Sequence, residues 1–432
     1  MTGIFAAGQR RLAAVAAAVT VAMMAAACGS AGPGETASAG LTMWALTDQS
    51  TLKESVDAYN TDHPDKKITL QLFTNEDYKQ KLRVAIGAGQ GPDIVFSWGG
   101  GALGDYVKSG KIAEISATEL DTGRFTPSVL ETATFDGKVY GIPANGLAPV
   151  VLYYNKKVLA DAGLQPPKTY DDLKAAVTTL KGKGVTPISL AANSKWPTLM
   201  WHEYLLDRTG GAKVFEQIAG GDKAGWTDPS VTKANQLLQE LVDMGAFGDN
   251  ASSLSYDQGA ATALLYTGKA GFELMGTWEY ANIAKAAPDF LSKGDLGYMA
   301  FPSIPGGAGD PQAIVGNPSN YLSINAATKD KAAALTYLKD YVLNDKQVDA
   351  FLAAGSVPPV NGLESKLAAV TTPEKPWLQF VYGLVQKSPT FQLSWDQALP
   401  SEQADPLLTN VDESFLKKIT PEQFGQNMSK AS

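Results

Sequence analysis

The chain has 432 residues, 44% of them hydrophobic, with 44 acidic against 36 basic side chains and a formal net charge of −8 at pH 7. That length buries a large core but exceeds one typical domain, so two lobes are the expectation. The acidic balance and the lack of any dense Lys/Arg run set aside nucleic acid as a partner and docking on anionic lipid as a mode of attachment.

The first 27 residues hold no acid and place Arg10 and Arg11 ahead of LAAVAAAVTVAMMAAA (12–27), which stops at Cys28. This is the pattern of a secretory leader, and no later apolar run is long enough to cross a bilayer. Cys28 is the sole cysteine. It has no partner within the chain, and a free thiol is a liability in an oxidising compartment, so a covalent use is the simplest explanation. Residues 1–27 resemble a lipoprotein signal peptide, which implies acylation of Cys28 and an anchor at the outer face of the cytoplasmic membrane. Ala26, Ala27 and Gly29 fit that motif, Ala25 stands where Leu is usual, and the paired arginines leave Sec or Tat export open. Residues 28–40, small and polar, read as a flexible tether.

From residue 41 strand-like and helix-like stretches alternate. LTMWAL (41–46) is a strand, followed by a helix with Leu52, Val56 and Tyr59 on one face. ITLQLF (68–73) alternates as a second strand, a helix runs over 78–86, and DIVFSW (93–98) is a third strand. This β-α-β-α-β opening builds a parallel sheet whose ligands bind beyond the carboxyl ends of the strands. GKVYGIPANG (137–146) is a turn-rich break before the apolar run APVVLYYN (148–155). A helix over TYDDLKAAVTTLKGKG, a strand over TPISLAA and further helices reach about residue 293; a second break (301–312) precedes the strand YLSIN (321–325), and the tail from 331 reads helical apart from 355–362. There is no fixed-period repeat.

GAGQGPDIVFSW (87–98), GKVYGIP (137–143), YYNKKVLADAGLQPPKTYDDL (153–173), GKAGFELMGTWEY (268–280) and SINAATKDKAAALTYLKDYVLND (323–345) follow in order along the chain. In these blocks the sequence resembles the extracellular solute-binding proteins of the carbohydrate-binding family that includes maltose-binding proteins, and DIVFSWGGGALGDYVKSGK is most similar to actinobacterial oligosaccharide binders. The resemblance implies a two-lobed α/β fold of the periplasmic-binding-protein type, each lobe a mostly parallel sheet flanked by helices, with the ligand in the interlobe cleft. The lobes are expected at 41–147 plus 302–326 and at 148–301 plus 327–432, with crossovers near 143–150, 300–304 and 326–330. The implied function is capture of an oligosaccharide, xylo-oligosaccharide before cello- or malto-oligosaccharide, by a monomer that closes on its hinge and delivers to the permease of an ABC importer. No cofactor is implied.

Sugars present hydroxyls, which amides and carboxylates satisfy, and apolar C–H faces, which flat aromatic rings cover. Trp98 precedes Gly99, Gly100 and Gly101, whose missing side chains would admit close approach of a ligand, or form a tight turn. Trp278 in GTWEY, for which core packing is the alternative, and Trp395, which forms a ring-plus-carboxylate pair with the candidate ligand contact Asp396, stand where the resemblance implies stacking aromatics. Of Trp196 and Trp201 one is expected to line the groove; Trp201 is the candidate taken, with packing against Leu205 in an amphipathic helix as its alternative. Thr47 and Asp48 after the first strand, Glu76, Asn145 and Asn317 lie at strand ends and crossovers and are candidate hydroxyl partners. Their bland alternatives are a helix cap for Asp48, a turn for Asn145 and a solvated first-turn acid for Glu76.

Two other function classes remain open at this point. With His63 and His202 the only histidines and no GxSxG or HExxH, nucleophilic and zinc chemistry have little material. A glycosidase needs only two carboxylates. A binding protein for a cationic solute would use the same fold and the acids of the same rim.

Overall fold

The structure, a computed structural model, describes residues 40–431; the leader, Cys28 and the tether up to residue 39 lie outside the described residues. Strands β1 (Leu41–Leu46), β2 (Ile68–Phe73), β3 (Ile94–Ser97), β4 (Ile112–Ala113) and β7 (Ile142–Pro143) form the first sheet together with β13 (Tyr321–Asn325). A short hairpin of β5 (Thr134–Phe135) and β6 (Lys138–Val139) turns on Asp136 and Gly137, both at positive φ. The second sheet holds β8 (Ala148–Asn155), β9 (Thr186–Ser189), β10 (Ala270–Gly276), β11 (Leu296–Met299), β12 (Ile314–Asn317) and β14 (Phe391–Leu393).

Patterning explains the placement. β1 buries Leu41, Met43 and Ala45 and leaves the alternate residues half-buried. β3, in the sheet interior, is buried on both faces. β2 pairs only with β1, so its alternation is covered less well and Leu72 is exposed. Helices α1 (Ser50–Asp62) and α2 (Asn75–Gly87) bury Leu52, Val56, Tyr59 and Tyr78, Leu82, Ile86 at one-face spacing.

Both sheets are mixed rather than mostly parallel. β2, β1 and β3 run parallel, while β13 lies antiparallel to β3, β4 and β7. In the second sheet β10 pairs in parallel with β9 and β12 with β14, but β8 is antiparallel to β10, β11 and β12. The reversed strands are the two that follow a crossover between the sheets and so enter from the opposite end.

The chain first passes between the sheets at 144–147, from β7 to β8. The second crossover does not lie at 300–304. Residues 301–312 stay with the second sheet's helices, Ser303 pairing with Thr169 and Gly309 packing on Asp207, and the chain crosses only at 318–320, after β12 has joined β8 and β14. The third crossing is likewise not at 326–330. Helix Lys331–Asp340 stays on the first sheet, where the Tyr337 hydroxyl lies 2.7 Å from Ser55 Oγ, and Gln347 Nε2 donates to the Thr51 carbonyl. Only beyond Val360, which bridges to Phe125, does the chain return, to stack Trp377 on Tyr280. The sheets therefore divide the chain with 314–317 in the second lobe and 331–353 in the first, the reverse of the expected assignment.

Candidate ligand cleft

A cleft of about 420 Å³ opens between the two sheets, walled by the ends of β1, β3 and β12, the start of α2, and residues 256–259, 278–286 and 394–397. The crossovers form its floor. Asn145 Nδ2 donates to Asn320 Oδ1 (3.0 Å), Ser319 Oγ donates to the Asn145 carbonyl (2.8 Å), and Leu147 N donates to the Val357 carbonyl (2.7 Å).

On the first lobe, Trp98 at the end of β3 stands edge-on to Tyr78 and Phe96, and Lys79 Nζ lies 5.2 Å from its ring centre. Lys79 also reaches Asp396 across the cleft, 3.5 Å away, tying α2 to the second lobe. Asp48 accepts from Gln49 Nε2 at 2.8 Å. Although open to the cleft, it is hemmed in by protein, and that desolvation raises its pKa against the Gln49 hydrogen bond, with Asp257 adding repulsion.

On the second lobe β10 ends at Gly276, and the chain turns so that the Trp278 ring lies on the Gly276 backbone; a Cβ there would stand 2.0 Å from the ring. Trp278 Nε1 donates to the Tyr256 hydroxyl (2.8 Å), which is 2.9 Å from Glu279 Oε2. Trp196 stands edge-on to Tyr256 at 4.7 Å, its ring centre 6.2 Å from that of Trp278. Glu279 and the deeper Glu273 are both buried, and burial pushes both carboxyls up, with repulsion between them adding to the effect on Glu273. Thr262 Oγ1 donates to Glu273 Oε1. Among the described residues no group of His, Cys, Asp and Glu is placed to hold a metal ion.

The structure brings Thr47, Asp48, Trp98, Asn145, Trp278, Asn317 and Asp396 to this cleft. Three candidates are elsewhere. Trp201 is fully buried, edge-on to Phe247 and Phe301, because its helix, Trp196–Gly210, is buried almost all round. Trp395 is also fully buried, stacked on Phe215 and edge-on to Trp226, in the core of the second lobe. Glu76 is an exposed acid in the first turn of α2, outside the cleft, and only its backbone N–H points across, to Asp257 Oδ2 at 3.3 Å. The glycines after Trp98 admit the protein's own chain rather than a ligand. A Cβ on Gly100 would lie 2.6 Å from the Gln397 carbonyl oxygen, and one on Gly101 2.4 Å from the Leu399 carbonyl carbon. Asp48 does not cap α1, whose N-cap is Gln49, whereas the Asn145 side chain does accept from Gly146 N as a turn residue would.

A model of the family described as bacterial extracellular solute-binding protein matches residues 44–349. The chain belongs to this family. It is 29% identical over 310 residues to the diacetylchitobiose binding protein of Streptomyces coelicolor, covering 70% of this chain and 68% of that one. The maltotriose-binding protein of Pyrococcus abyssi is 25% identical over 371 residues, 83% of this chain and 75% of that one. A solved structure from work on xylan utilization by Caldanaerobius polysaccharolyticus superposes with a TM-score of 0.82 at 29% identity, covering 90% of this chain and 99% of that one. A chitin oligosaccharide binding protein gives 0.80 at 27%, covering 90% and 97%.

For this family member, sequence reasoning missed Gln49, Asn75, Lys79, Tyr256, Glu279, Asn282, Asn320 and Gln397, all of which line the cleft, and of the pair Trp196 and Trp201 it favoured Trp201, whereas Trp196 is the one at the cleft. Glu279 and Gln397 sit one residue from named candidates, so a wider window would have caught them. Tyr256, in a short 3-10 helix of a polar loop, gave no signal.

Proposed function

We propose that this protein captures an oligosaccharide in the interlobe cleft and delivers it to the permease of an ABC importer. The supporting observation is a cleft that sets aromatic rings (Trp98, Trp196 and Trp278) beside amide and carboxyl side chains from both lobes. Rings cover apolar sugar faces, and the polar groups exchange hydrogen bonds with hydroxyls. Relatives named for diacetylchitobiose and maltotriose, and a structural neighbour from xylan utilization, support the sugar class. Within that class we favour xylo-oligosaccharides, then cello- or malto-oligosaccharides, and the chitobiose relative adds N-acetylated disaccharides to the series worth testing. Of the candidates named from sequence, Thr47, Asp48, Trp98, Asn145, Trp278, Asn317 and Asp396 remain the proposed contacts, with Trp278 the principal stacking ring. Binding requires no bond cleavage. The ligand drives closure through its greater affinity for the closed state. We further propose a monomer exported by the leader and held at the membrane by a lipid on Cys28.

A second reading, a cationic solute, is favoured by Asp48, Asp257, Glu279 and Asp396 lining a cleft whose ammonium group, Lys79, is already paired with Asp396. The test is calorimetric titration with xylobiose, cellobiose, maltotriose, diacetylchitobiose, monosaccharides and a polyamine, with product analysis on the same samples. Saturable binding of one sugar series without product supports the proposal. Binding of the polyamine alone would replace the cargo, and product formation would make the protein a hydrolase.

A further inference from the structure

Three polar contacts converge on the hydroxyl of Tyr256. Trp278 Nε1 reaches it at 2.8 Å, Asn282 Nδ2 at 3.1 Å, and Glu279 Oε2 lies 2.9 Å away. A phenol carries one proton and two lone pairs, whereas an indole N–H and an amide N–H only donate. The two donors therefore occupy both lone pairs, and the single proton goes to the carboxylate. Nothing is left on that oxygen for a ligand. The same count applies to Trp278, whose one polar hydrogen is spent on Tyr256. Its ring has only its faces and edges to offer, and Gly276 takes one face.

Asn282 Nδ2 also lies 3.1 Å from Glu279 Oε2, so the amide braces both ends of the Tyr256–Glu279 bond. Trp196 closes the remaining side of Tyr256. An aromatic side chain that must be ordered on binding costs affinity, and one already held in place does not. We propose that Tyr256 is a positioning residue, its saturated hydroxyl fixing the Trp278 indole with one face toward the cleft so that the ring is set for stacking before the ligand arrives. This rests on the sugar reading above.

The test is a double-mutant cycle with the sugar that wild type binds best, using wild type, Tyr256→Phe, Trp278→Ala and the double variant, with a thermal melt of each. Tyr256→Phe should weaken binding about 3- to 10-fold. In the Trp278→Ala background it should change affinity less than about 2-fold, because the ring it positions is gone. A readout free of ligand accompanies this: time-resolved tryptophan anisotropy, with the Trp278 component taken by difference from Trp278→Phe, should show faster local rotation in Tyr256→Phe. Equal weakening in both backgrounds would mean that Tyr256 touches the ligand directly and would overturn the inference, as would unchanged affinity and anisotropy in a wild type that binds sugar. A wild type that binds none of the sugars removes the sugar reading and this inference with it.

Discussion

Trp395 and Asp396 are neighbours in sequence and go to opposite sides. The Trp395 ring is fully buried against Phe215 and Trp226, while the Asp396 carboxylate faces the cleft and meets Lys79 at 3.5 Å. The buried Glu203 fixes this division, its Oε1 accepting from Ser394 Oγ and from Trp395 N. The two tryptophans singled out as stacking rings therefore have separable roles. Trp395→Ala should cost about 3–5 kcal/mol of stability through the cavity it leaves. Trp278→Ala should leave the melting temperature within a few degrees and weaken sugar binding by about 2 kcal/mol, roughly 30-fold. Melts and titrations on the two variants check this, and a Trp278→Ala protein with wild-type affinity would sink the site assignment.

Asp257 Oδ2 accepts from Glu76 N at 3.3 Å, at the start of α2, where the N-cap Thr74 makes no side-chain cap. An acid of the second lobe thus supplies the acceptor that a first-lobe helix terminus lacks, and it does so only while the lobes are together. Asp257→Ala should favour opening by up to about 1 kcal/mol, and stopped-flow release of the sugar should quicken by roughly 5-fold. An unchanged release rate would argue against this contact as a brace of closure.

Gly101 lies in helix α3 (Gly100–Lys108), where replacement by Ala ordinarily gains up to about 1 kcal/mol. Here the added Cβ would stand 2.4 Å from the Leu399 carbonyl carbon, so the second lobe has to move away. Gly101→Ala should bind sugar at least several-fold more weakly and show a larger radius of gyration in solution scattering with ligand present. Tighter binding together with a raised melting temperature would show that the contact yields without cost.

His202 is fully buried, with Nε2 3.0 Å from Asn235 Nδ2, and burial pushes its pKa down to about 3. The unfolded imidazole takes its proton near pH 6.5. Between those values the unfolded state binds more protons, so this group's contribution to stability is full above about pH 6.5 and is lost on acidification by up to about 1.4 kcal/mol per pH unit. Glu203, Glu273 and Glu279, raised by burial, act in the opposite direction over their own range, because the folded state protonates first. Comparison of wild type with His202→Gln in denaturant melts from pH 7 to pH 4 isolates the histidine. Parallel stability curves would contradict it.

Local sequence was sufficient for part of the elements, although it read helices up to about residue 293 where β10 runs over Ala270–Gly276, and a helical tail where β14 runs over Phe391–Leu393. β1, β2 and β13 run over the residues whose patterns announced them, and α1 and α2 bury the expected faces, because a strand or helix that must cover one side writes that need into its own spacing. It also placed candidates at the ends of β1 and β3, since those positions follow from chain order in a parallel layout, whereas the first crossover came from the resemblance and not from any local pattern. Lobe membership was different. The four residues of β12 carry no mark of which sheet they join, and only the ladders to β8 and β14 decide it. The fate of each tryptophan was equally undecided by sequence, since an aromatic ring is as suited to a core as to a ligand. Packing on Phe215 and Trp226 took Trp395 inward, whereas Gly276 and the Tyr256 hydroxyl held Trp278 at the cleft. Periodicity belongs to the segment that carries it, but a site assembled from two lobes depends on residues far apart in the chain, and only the tertiary fold decides which of them meet.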